Sequence, residues 1–86
     1  MFRNPDLALI AYANGFSLWQ YYAKTDTVAD VMADGYFSQI YTLCSLGDKI
    51  MVVASDGYVE LVITKIDTKY VGTEQITKVM SWQKEE

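Results

Sequence analysis

The stretch Ile50-Met51-Val52-Val53-Ala54-Ser55-Asp56-Gly57-Tyr58-Val59-Glu60-Leu61-Val62-Ile63-Thr64-Lys65-Ile66 decides the fold. Asp56-Gly57 interrupts it, a pair that tolerates the positive φ a two-residue type I′ hairpin demands at both central positions. After the turn, Val59, Leu61 and Ile63 alternate with Glu60 and Thr64, the period of a strand with one buried and one wetter face, although Val62 and Ile66 blur it. Before the turn, residues 50–54 are apolar without alternation and read as a strand covered on both faces. Working outward, Asn14-Gly15 separates residues 7–12 from residues 16–22 and predicts a second hairpin of the same kind. A further strand over 70–76 follows the Asp67-Thr68-Lys69 turn, and residues 78–82 extend the sheet.

Between the hairpins the period changes. Thr27 lies three residues before Asp30, the spacing of a weak capping box, and Val28, Val31 and Met32 share the face of a short helix that Gly35 stops. Phe37, Ile40, Tyr41 and Cys44 fall at i, i+3, i+4 and i+7, which predicts a second short helix ending at Gly47. Helices this short do not persist alone in water, so both must pack on the sheet. The expected order is β-β-α-α-β-β-β: mainly β with a short helical insertion, a small antiparallel sheet curled into a partly closed barrel. One domain spans residues 1–86, with 1–6 and 81–86 as loose ends.

Eighty-six residues bury only about 60–65% of their unfolded surface, so such a chain is marginal unless something staples it. One cysteine closes no intrachain disulfide, and there is no Cys/His cluster for a structural metal. With 51% hydrophobic residues, association is the remaining route to stability. Seven Lys+Arg, scattered singly, against eleven Asp+Glu give a net charge of −4. Nucleic acids and anionic membrane surfaces need clustered basic residues, so neither is an expected partner. No apolar run reaches the roughly 18 residues of a bilayer span, and residues 1–15 lack the layout of a signal peptide. The expectation is a protein made in the cytoplasm and used without Sec export.

No histidine is present, so Ser-His-Asp and Cys-His sites are excluded and an enzyme is not expected. Asp26, Asp30 and Asp34, spaced by four, would share one face of the first helix; they read as a divalent-cation or basic-partner site, or as a solvated face. Cys44 reads as a small buried hydrophobe. No glycine pattern cradles phosphate, and no cofactor is expected. The aromatics stand out. In a strand over residues 16–22, Phe16, Leu18 and Tyr22 take one face and Trp19 and Tyr21 the other. One set of rings fills the core, and the other needs a cover. Phe16, Trp19, Tyr21, Tyr22, Tyr36 and Phe37 are therefore the candidate interface residues. An exposed Trp or Tyr platform for sugars is the rival reading.

Asn4-Pro5-Asp6-Leu7, Asn14-Gly15-Phe16, Leu18-Trp19-x-Tyr21, Thr25-Asp26-Thr27-x-Ala29-x-Val31, Gly35-Tyr36-Phe37, Leu46-Gly47-Asp48-x-Ile50 and Ala54-Ser55-Asp56-Gly57 form a scatter of turn, cap and core positions. From about residue 4 to about residue 66 this pattern resembles a family of short structural proteins of tailed bacteriophages and prophages. The resemblance implies a virion component: a homo-oligomer that decorates or cements the capsid beside the major capsid protein, or an adaptor for a fibre or tail part. A small acidic host-directed regulator is the other class kept open.

Overall fold

The computed structural model describes Phe2, residues 6–13 and residues 16–82. Six strands form one sheet: β1 (Leu7–Ala13), β2 (Phe16–Tyr22), β3 (Lys49–Val53), β4 (Gly57–Asp67), β5 (Tyr70–Gln75) and β6 (Met80–Ser81). The spatial order is β1-β2-β3-β4-β5, and β6 pairs with the start of β4 beyond the end of β5. Ala13 and Phe16 stand opposite each other, so the first hairpin has a two-residue connection; the type of the Asn14-Gly15 turn lies outside the described residues.

The sheet is mostly antiparallel with one exception. β2 and β3 run parallel, Leu18 beside Lys49 through Tyr22 beside Val53, because the segment between them carries the chain back to its starting end. Such a crossover is what parallel neighbours require. It contains α1 (Val28–Val31) and one turn of 3-10 helix (Ser38–Ile40). The Thr27/Asp30 capping box is present in both directions, as the spacing predicts. The expected second helix is reduced to that single turn, although its stripe is still used: Phe37, Ile40 and Cys44 are buried. The expected barrel does not close. The crossover, rather than a returning strand, lies under the inner face, and β1 and β5 remain as edges.

Register assigns every side chain of the central strands to a face. Ser17, Tyr21, Ile50, Val52, Ala54, Val59, Leu61 and Ile63 point inward and are buried, joined by Val28, Val31, Phe37 and Ile40 from the crossover. Burying an aliphatic side chain of this size stabilises by about 1.5–3 kcal/mol, so the stripe Val59, Leu61 and Ile63 anchors the domain. The strand over 50–54 departs from its reading. Its burial alternates, with Ile50 and Val52 covered and Met51 and Val53 facing out. Among the described residues its inner face is fully covered and its outer face only partly.

The second turn also differs from expectation. Neither Asp56 nor Gly57 has positive φ. The connection is a loop over 54–56, closed by the Ala54 N–H donating to the Gly57 carbonyl at 2.8 Å. Gly57 is needed for a different reason: a Cβ there would stand 2.2 Å from the Met80 carbonyl oxygen of β6. The ends placed as loose are engaged where they are described. Phe2 is buried, and the Trp82 indole donates to the Ala54 carbonyl at 2.9 Å.

Candidate functional site

The six candidate interface residues separate into different environments. Tyr21 and Phe37 are 1% exposed and belong to this chain's own core. With Phe2 and the half-buried Tyr36 they form a cluster in which the Tyr21 and Phe37 centroids are 5.4 Å apart and those of Tyr36 and Phe37 5.0 Å apart, both edge to face, while Phe2 stacks on Tyr21 at 5.2 Å. These offset and edge-on geometries are the favourable ones for rings. Trp19 is partly buried on the same inner face, its indole N–H donating to Asp48 Oδ2 at 3.2 Å. Tyr22 stands on the outer face, half exposed, with Lys24 Nζ 5.9 Å from its ring centroid. The side chain of Phe16 lies outside the described residues.

Around the ring cluster runs a short polar relay. The Tyr36 hydroxyl donates to Asp26 and lies 3.0 Å from the Tyr21 hydroxyl. Burial, reinforced by these bonds, pushes the Tyr36 phenol far above its ordinary range; burial and the neighbouring Glu60 push Tyr58 up to about 12. Unfolded phenols release their proton near pH 10. Above that pH the unfolded chain sheds protons that the native chain keeps, so stability falls as pH rises. Tyr36→Phe is expected to flatten that alkaline fall and to cost about 1–2 kcal/mol at pH 8, read from urea midpoints at pH 8, 10 and 11. An unchanged midpoint at pH 8 would show that the relay contributes nothing.

The three aspartates spaced by four do not share a helix face, because α1 covers only Val28–Val31. Asp26 accepts from Tyr36, Asp30 caps α1 through the Thr27 N–H at 3.0 Å, and Asp34 accepts from the Tyr70 hydroxyl. Each is committed to a different contact. Asp48 is the acidic residue that sequence reasoning missed. It is 1% exposed and accepts from the Ser17 N–H at 2.8 Å, the Ser45 N–H at 2.9 Å and the Trp19 indole, tying β2 to the loop before β3. Cys44 lies in the core, where burial and then the Asp48 charge push its thiol pKa up. A thiol held protonated is a poor nucleophile.

Among the described residues there is no pocket and no group of three or more Cys, Asp or Glu placed to hold a metal ion. No helix there is long and apolar enough to cross a membrane. What the surface does present is the outer face of the sheet. Leu18 and Tyr22 of β2, Met51 and Val53 of β3, and Tyr58 and Val62 of β4 lie there together with Gln20, Lys49 and Glu60, and none is buried. The unbroken apolar run of residues 50–54 is the sequence feature that corresponds to this face: it reads as a strand covered on both sides, whereas the burial of β3 alternates. No family model matches the sequence, and neither a curated protein nor a solved structure matches it.

Proposed function

We propose that the protein is a non-enzymatic structural subunit of a bacteriophage particle, a homo-oligomer that decorates or cements the capsid, with the outer face of its sheet seated on a neighbouring virion protein such as the major capsid protein. One observation carries this reading: β3 has the sequence of a strand covered on both faces, yet among the described residues Met51 and Val53 on its outer side are only partly covered, in a face they share with Leu18, Tyr22, Tyr58 and Val62 and with the polar Gln20, Lys49 and Glu60. A partly covered sheet face that mixes aromatic and aliphatic side chains with a few polar ones has the composition of an association surface. The virion setting follows from the resemblance to short phage structural proteins. An adaptor for a fibre or tail part would use the same face.

Mass spectrometry of purified particles from the phage or prophage encoding the chain should find it at a fixed copy number per capsid. Met51→Lys places a charge in the middle of the outer face, opposite Glu60 on β4, where the fold tolerates it. The variant should keep the wild-type circular dichroism and urea midpoint while its recovery with particles drops at least tenfold. Particles that carry wild type and variant equally would remove the face from this role, and particles without the chain would overturn the virion reading.

A further inference from the structure

The two edges of the sheet are finished differently. The outer side of β5 is met by the 3-10 turn, whose Ser38 Oγ accepts the Val71 N–H at 3.1 Å, and β5 itself carries Glu74. β6 fills the remaining length of that side of β4. β1 has no such finish. Its seven residues Leu7–Ala13 include no charge and no proline, the residues that ordinarily blunt an edge against pairing. Among the described residues no hydrogen bond reaches its outer side. β1 packs almost wholly on β2, at the end of the sheet. Ala8, Leu9, Ile10 and Ala11 are all exposed, Leu9 by 54% and Ile10 by 50%.

We infer that β1 is a dimerisation strand, pairing antiparallel with β1 of a second copy about a two-fold axis so that two sheets become one. Three features choose a second copy as the occupant. A row of free backbone N–H and C=O groups recognises another extended strand. The chain carries −4, and because residues 7–13 are uncharged, pairing along β1 sets no like charges opposite each other within the strand, an arrangement that would destabilise the pair. Finally, the two edges are not equivalent. An isologous β1–β1 contact uses the same edge of both copies, and the 3-10 turn sits against β5 at Val71, so pairing stops at two copies instead of running on into a fibre. The bulge between Leu9 and Ala11 bends the edge, and it comes without the charge or proline that would block addition. In the dimer both outer faces lie in one continuous sheet, so the edge joins copies and the face is left for the particle. The inference rests on the assembly reading only in expecting that copies associate.

Size-exclusion chromatography with light scattering at about 50 µM should give the mass of a dimer, and hydrogen exchange at residues 7–13 should slow at least tenfold between 1 and 100 µM. The double variant Leu9→Lys and Ile10→Lys replaces two exposed side chains, so its circular dichroism should match wild type while it elutes as a monomer and loses the concentration-dependent protection. A wild type that is monomeric at 50 µM, or a double variant that stays dimeric, overturns the inference. Met51→Lys separates the two surfaces: it should remain a dimer while losing the particle, and a monomeric Met51→Lys places the dimer contact on the face instead of the edge.

Discussion

Asp48→Ala is expected to lower stability by about 3–4 kcal/mol, a large part of the roughly 4–13 kcal/mol available to a domain of this length. The carboxylate is 1% exposed and receives two backbone N–H groups and one indole. Its removal leaves the Ser17 amide buried without a partner, and each buried orphan donor costs about 1–3 kcal/mol. Asp48→Asn is the informative companion. It keeps one acceptor, but its amide NH2 then faces the Ser45 and Trp19 donors, so it should recover less than half of the loss. Urea unfolding followed by tryptophan fluorescence measures both, since Trp19 reports on the contact directly. An Asp48→Ala midpoint within about 0.5 kcal/mol of wild type would mean that water replaces the carboxylate and that the joint between β2 and the loop before β3 is not structural.

Gly57→Ala is the second large effect, at about 3 kcal/mol. The added Cβ would meet the Met80 carbonyl oxygen at 2.2 Å, a backbone atom that cannot rotate away, so β6 must move off β4. Overpacking of this kind typically costs about 1–3 kcal/mol. Here the Trp82 N–H to Asp56 carbonyl bond and the Trp82 indole bond to Ala54 go with it. A chain ending at residue 78 supplies the control. With β6 absent, the same substitution should cost less than 1 kcal/mol, because the obstructing atom is gone. Equal costs in the two backgrounds would trace the effect to the backbone of Gly57 itself rather than to strand contact.

How far the fold could be read depended on whether a signal was local. Alternation of Val59, Leu61 and Ile63 is a property of five neighbouring residues, and all three are at or below 1% exposure. The Thr27/Asp30 cap is equally local and is in place. By contrast, Asp48 follows Gly47 and looks like an ordinary turn residue. Its donors Ser17 and Trp19 lie 31 and 29 positions away, so no window of sequence could show the contact. The parallel pairing of β2 and β3 was hidden in the same way, since hairpin signals speak only for adjacent antiparallel strands. Ring-rich sequence was also ambiguous. Alternation placed Trp19 and Tyr21 opposite Tyr22 correctly, but which set met the crossover was decided by Phe2, Tyr36 and Phe37 arriving from elsewhere. The interface candidates were thus sorted inward and outward by tertiary packing, and the outward set gained Met51, Val53, Tyr58 and Val62.

The aspartates give the acidic balance another meaning. Asp26, Asp30, Asp34, Asp48, Asp56, Glu60 and Asp67 each accept a hydrogen bond from this same chain. In a sequence without histidine and with a single cysteine, carboxylates act as the fasteners that cross-links or metal ions supply in other small domains. The negative charge of the molecule thus serves its own joints as well as its surface, where Asp30, Asp34, Asp56 and Asp67 are exposed. A counterpart of this fold carrying net positive charge would have to find other clips for the same joints.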